Sequence, residues 1–184
     1  MATRTGWTIA DYMALDEPDG PHFELSDGEL IVTPSTTLNH NAIRDRLNRR
    51  VYTFAHRHRL GMVTSETDFQ LGPTTIRRPD VAFISAERFH ASYGDMVPIP
   101  VAPDLVFEVV SAHDRRGAMR KRLLQFLDAG TRAVWLLSPS TGVGERFTAS
   151  AQEPEVLDVI REPDILPGFE LTLKALLTPP TVRR

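Results

Sequence analysis

Apolar residues recur at different spacings along this chain, and the changes of spacing divide it into elements. Between residues 39 and 60, Ile43, Leu47, Val51 and Phe54 repeat at intervals of four, four and three. That is the period of a helix with one buried side, and Gly61 is well placed as its C-terminal stop. His40 falls within the apolar side at the first turn, while Arg46, Arg49, Arg50 and Arg57 gather along one flank. Met119, Leu123, Phe126 and Leu127 make a second stripe, in a helix expected from an N-cap at Asp114 to about Ala129, where Gly130 ends it. A shorter helix is expected from Ile9 to about Leu15, capped by Thr8 and ended by Asp16-Glu17-Pro18-Asp19-Gly20.

The remaining apolar runs are short and dense, as strands are. His22-Phe23-Glu24-Leu25 and Glu29-Leu30-Ile31-Val32 flank Ser26-Asp27-Gly28, a hairpin signal. Phe23 and Leu25 share a face, so Glu24 points the other way, beside His22 and Ser26. Met62 to Leu71 reads as one strand, Gly72-Pro73-Thr74 as a turn, and Ile76 to Ile84 as another strand. Pro79 inside that strand marks an edge, a strand start or a bulge. Ser85 to Phe89 suits a helical turn. Pro103-Asp104-Leu105-Val106-Phe107-Glu108-Val109-Val110-Ser111 and Ala133-Val134-Trp135-Leu136-Leu137 bracket the second helix, which makes a parallel, right-handed crossover unit. Segments around Gly144–Ala149 and Val156–Ile160 form a looser hairpin, and the tail from Leu166 to Leu177 a short strand and a helical turn. The middle of the chain therefore reads helix, three strands, helix, strand.

Composition narrows the function more than the fold. A chain of 184 residues with 41% hydrophobic and 24% charged content suits one soluble domain. It has no apolar run near the roughly 20 residues of a membrane helix and no signal-peptide pattern, so a cytoplasmic location with no membrane partner is expected. Zero cysteines exclude disulfides, thiolate catalysis and Cys-ligated zinc. A net charge of −3 means that contact with nucleic acid needs a local basic patch.

Two acids stand out against this background. Glu108 lies in the middle of an almost wholly apolar strand, where an ionised carboxylate is costly unless a cation sits against it. Asp80 begins another apolar run 28 residues earlier. Two carboxylates fixed on strands make a natural divalent-metal site, since Mg²⁺ usually takes one or two of them and keeps several waters. Such an ion acidifies a water and neutralises charge on a scissile phosphate.

In their joint order and spacing, several segments resemble the Uma-type putative restriction endonuclease family of the PD-(D/E)XK nuclease superfamily. These are Trp7-Thr8 with Tyr12, Phe23 to Leu30, His40, Arg78-Pro79-Asp80-Val81, Pro103 to Ser111, Ala129-Gly130, Trp135-Leu136 and Leu166-Pro167-Gly168-Phe169. The resemblance implies an α/β, restriction-endonuclease-like core: a mixed central sheet flanked by helices, with an N-terminal hairpin. It also implies Mg²⁺- or Mn²⁺-dependent hydrolysis of DNA. In that scheme Asp80 and Glu108 hold the metal with the carbonyl of Val109, Glu24 orients a water or binds a second ion, and His40 positions the phosphate. A homodimer suited to double-strand cleavage is a further implication.

The chain departs from the pattern at the cation. The superfamily often has a lysine two residues after the strand carboxylate, where this chain has Val110. In this family the lysine lies on the following helix, and the matching position is Arg122. Arg122 falls on the shoulder of the core stripe, whereas its neighbour Lys121 points nearly opposite, into solvent. Arginine stays protonated and cannot act as a general base, but it can clamp a phosphate oxygen. The alternative is a catalytically weakened or inactive nuclease-derived module that binds nucleic acid or serves a structural role. Each residue also has a plainer reading. Glu108 would be a buried structural partner of Arg122, Asp80 a turn former, Glu24 a solvent-facing hairpin residue, His40 a capping or packing residue, and the arginine flank a solvated face.

Overall fold

A computed structural model describes residues 6–16, 22–111 and 115–178. The expected stop after the first helix therefore lies mostly outside the described residues, as does Asp114. In chain order the elements begin with α1 (Ile9–Met13), β1 (His22–Ser26), β2 (Glu29–Thr33) and α2 (Leu38–His58). Four short strands follow: β3 (Gly61–Thr64), β4 (Phe69–Gly72), β5 (Thr75–Arg77) and β6 (Val81–Ser85). A 3-10 turn at Ala91–Asp95 precedes β7 (Leu105–Val109), α3 (Arg116–Asp128) and β8 (Ala133–Ser138). The chain closes with β9 (Val143–Phe147), β10 (Glu155–Leu157), β11 (Val159–Ile160), β12 (Leu171–Thr172) and α4 (Leu173–Leu177).

The principal sheet has six strands in the order β10-β9-β8-β7-β6-β3, and only β7 and β8 run parallel. Strand alternation explains why β6, β7 and β8 are apolar almost throughout, since each of their faces is covered. Val81, Phe83, Leu105, Phe107, Ala133, Trp135 and Leu137 pack against Ile43, Leu47, Val51 and Ala55 of α2 and against the C-terminal segment. Val106, Val134 and Leu136 face Leu123, Phe126 and Leu127 of α3. Each large side chain buried here contributes about 1.5–3 kcal/mol. Strands β7 and β8 joined by α3 form the crossover unit expected from the sequence.

A second sheet, β2-β1-β5-β4, is antiparallel throughout. Its hairpin turns on Asp27 and Gly28, at φ 53° and 78°, as a two-residue turn matched to strand twist requires. A small core of Tyr12, Leu25 and Ile76 lies beneath it, with Trp7 and Phe23 packed alongside.

Four sequence expectations need correction. The runs 62–71 and 76–84 are not single strands: each is broken and its two halves join different sheets. Pro79 lacks the N–H that a continuous strand needs, and Glu66 adopts φ 49°, so both breaks are local and sharp. The middle of the chain thus holds five strands between α2 and α3, not three. The left-handed residue that ends α2 is Arg59, at φ 54°, rather than Gly61. The N-cap of α3 is Arg115, which makes no side-chain cap bond, rather than Asp114.

Gly61 has a different task. Its φ is 152°, and a Cβ there would stand 2.0 Å from the carbonyl oxygen of Ile84 on the paired strand. Gly61→Ala is therefore expected to destabilise the fold by about 2–4 kcal/mol, combining backbone strain with a displaced strand. A shift in the urea midpoint at unchanged m-value measures it.

Candidate active site

The site forms where the two sheets meet. Strand β6 begins at Val81, which pairs with Phe107, so Asp80 is carried to the level of Glu108 at the far end of β7. Asp80 completes the ladder with its side chain: its Oδ2 accepts from the backbone N–H of Val109 at 2.7 Å. Its Oδ1 lies 2.8 Å from Nε2 of His40, which α2 presents from its first turn. His40 is buried, and its other ring nitrogen, Nδ1, has no hydrogen-bond partner among the described residues.

Glu108 points from the face of β7 that packs on α3. Its Oε1 accepts from Nε of Arg122 at 2.7 Å, and its second oxygen accepts no hydrogen bond from the described residues. The same guanidinium reaches the second sheet. One Nη donates to Oε2 of Glu24, and the other donates to the backbone carbonyl of Arg78 at 2.6 Å. Glu24 is therefore not a solvent-facing hairpin residue; it is 3% exposed. It also accepts from Nη1 of Arg77 at 2.9 Å and from the backbone N–H of Arg78 at 2.7 Å. Arg77 is held in turn by Ser26 and Gln125.

Five residues singled out in the sequence, Glu24, His40, Asp80, Glu108 and Arg122, thus converge, with the backbone of Val109 among them. Lys121 points outward and pairs with Asp27 at 2.8 Å on the surface. Arg77, Gln125 and the main chain of Arg78 were not anticipated. Gln125 had a signal, since it lies three positions beyond Arg122 on the same helix face. Arg77 had none, because the break at Pro79 decides where it points.

Burial sets the electrostatics. Loss of water drives the Glu108 carboxyl up to about 7, against the pull of Arg122 and with the repulsion of Asp80 and Glu24 behind it. Burial also opposes charge on Glu24, but Arg122 and Arg77 outweigh it and hold that carboxyl below its usual range. For Arg122 burial is likewise overcome, by Glu108 and Glu24, so its pKa lies above the ordinary value. Burial lowers the affinity of His40 for a proton, yet its bond to Asp80 and the charge of Asp80 raise it further, giving a net upward shift.

No three His, Asp or Glu side chains converge into a ready cage among the described residues. A hard divalent cation needs less from the protein, because it readily keeps its waters. Each oxygen of Asp80 retains a lone pair beyond the bond it accepts, and Glu108 has one oxygen that accepts no hydrogen bond among the described residues. A cation between them would also relieve the repulsion that raises Glu108. The donor set fits such an ion.

The sequence model of Uma2, described as a putative restriction endonuclease, matches residues 9–174. The chain shares its fold with a putative nuclease from Anabaena variabilis ATCC 29413, whose crystal structure superposes with a TM-score of 0.83. That match has 22% identity and covers 93% of this chain and 97% of the other. A comparison with curated proteins gives no match.

The raised pKa of Glu108 has a thermodynamic sign. The native state holds this proton more tightly than the unfolded chain does, so the stability it confers is complete below about 4.5 and is lost as pH rises through about 7. In chelator, wild-type stability is expected to fall by on the order of 3 kcal/mol across that window through this group. Glu108→Gln should flatten the profile, as urea denaturation at stepped pH would reveal; an equally steep variant would refute the assignment.

Proposed function

The chain belongs to the Uma2 family of restriction-endonuclease-like proteins, and from that premise we propose that it is a divalent-metal-dependent endonuclease hydrolysing DNA phosphodiester bonds. The observation that carries this reading is the meeting of Asp80 and Glu108 on neighbouring strands, with Glu108 stripped of water and repelled by Asp80. A buried pair of acids with incomplete compensation suits a metal site better than a structural ion pair.

Mg²⁺ or Mn²⁺, when bound, polarises the phosphate and acidifies a water. The chain's own residues then have separate tasks. Asp80 and Glu108 would hold the ion, and Val109, whose N–H faces Asp80, directs its carbonyl to the same side of the strand. The N–H of Val109 fixes one oxygen of Asp80, so that carboxylate is oriented in advance. Arg122 keeps Glu108 and Glu24 in place and supplies positive charge beside the developing charge of the phosphate. It takes no proton, so general-base work does not fall to it. Glu24, ionised and anchored from two sides, orients water at the edge of the site. His40, favoured in its protonated form by Asp80, holds that carboxylate in place and adds positive charge beside the phosphate.

One observation favours a second reading. Arg122 stands where the family's lysine is expected and is engaged by two carboxylates and a carbonyl at once. A chain locked in this way would bind nucleic acid without cutting it.

Plasmid cleavage separates the two. On the first reading, nicking or linearisation appears with Mg²⁺ or Mn²⁺ and stops in chelator, and Glu108→Ala abolishes it without loss of fold. Arg122→Gln removes the charge and is expected to lower the rate about 10²–10³-fold, whereas Arg122→Lys, which restores the family's lysine, is expected to keep activity. Calorimetric titration of Mn²⁺ should show heat in wild type and none in Asp80→Ala. DNA binding that is equal with and without metal, and no cleavage under either condition, would establish the second reading instead.

A further inference from the structure

We propose that the groove between α2 and the C-terminal segment is a docking track for the phosphate backbone of duplex DNA flanking the bond to be cut. This inference rests on the nuclease reading above and extends it to a surface away from the carboxylates.

The groove measures about 740 Å³ and is lined by Arg46, Arg49, Arg50 and Arg57 from α2, with Phe54 and Phe169 packed edge to face at 5.3 Å along it. Arg46, Arg50 and Arg57 stand on one stripe of the helix, four and seven residues apart. Their rise along the axis is about 6 Å and then about 10 Å. Over the roughly 16 Å of this row a duplex makes about half a turn, so the row is long enough to meet phosphates on both sides of one groove.

No carboxylate is bound to these four among the described residues. Arg44, Arg77, Arg78, Arg88, Arg122, Arg146 and Arg161 are all ion-paired. None of the four groove arginines has an acidic partner within ion-pair reach among the described residues. The acid on the groove wall, Glu170, is committed to Arg161 at 2.8 Å. Arg46 donates to the carbonyl of Thr178 at 2.6 Å, yet its buried Nε has no partner. The helix dipole favours a cation at Arg57, in the last turn, but gives no reason for Arg46 or Arg50 in the middle of the helix.

Continuity with the active site completes the argument. The helix that carries the stripe presents His40 to Asp80 at its first turn. Arg46 follows six residues later, about 9 Å along the same axis. Six residues also turn the helix through about 240°, so the row lies roughly a third of a turn around α2 from His40 and flanks the site rather than facing it. For a chain of net charge −3, this local patch supplies the attraction that the whole molecule does not.

The test is the salt dependence of binding of a short labelled duplex to the full chain in chelator, where cleavage plays no part. Arg49, Arg50 and Arg57 are exposed, so their joint replacement by alanine leaves the core intact, which a thermal melt verifies. Between about 50 and 200 mM salt, the slope of log K against log[salt] should drop by roughly 0.9 per lost contact, or about 2–3 in all. Replacing the same three with lysine should keep most of the slope. A slope unchanged by the alanine triple, or a wild type whose binding does not respond to salt, overturns the proposal. The nuclease reading fails separately, through metal-dependent cleavage and Glu108→Ala, so a chain that cuts DNA while the triple variant keeps its slope refutes the track alone.

Discussion

One guanidinium holds this molecule's centre together. Arg122 leaves α3 and reaches Glu108 on the principal sheet, Glu24 on the smaller sheet and the carbonyl of Arg78 between them. Buried ion pairs gain little over a hydrophobic packing of the same shape, because both charges are first stripped of water. Removing one partner is far worse, since the other charge is left stranded. Glu24 and Glu108 can occupy the interior only because Arg122 and Arg77 stand between them. The arrangement also fixes how the two sheets sit against one another, since the same cation binds a carboxylate from each.

The breaks in the chain serve the same end. At Arg77-Arg78-Pro79-Asp80 the polypeptide leaves the smaller sheet and enters the larger. Within four residues it supplies a cation to Glu24, a backbone N–H and carbonyl to Glu24 and Arg122, and a carboxylate to Val109. A continuous strand would alternate these groups between faces and scatter them. Proline, with no N–H to give to a ladder, makes the handover possible.

Much of this was legible in the sequence, for physical reasons. The stripes of α2 and α3 and the apolar runs of β7 and β8 are dictated by burial on known faces, so their spacing reveals them. Asp80 and Glu108 stood out because charge inside an apolar run is costly. Arg122 was separable from Lys121 because one position on the helix turns one of them inward. The broken strands were not legible, since an apolar run looks the same whether it stays in one sheet or crosses to another. Arg77 was hidden with them. Glu24 had been open to a solvent-facing reading because nothing in a hairpin tells which of its faces a distant helix will cover.

The main chain at Arg78 separates two kinds of damage. Its amide and its carbonyl serve Glu24 and Arg122, while its side chain binds Asp68 at 2.6 Å elsewhere. The first two contributions survive any exchange of side chain that preserves the local path of the polypeptide. Exchange of this side chain would therefore leave both main-chain bonds in place while stranding the buried Asp68, so its damage falls on stability before chemistry, and the adjacent proline guards the path.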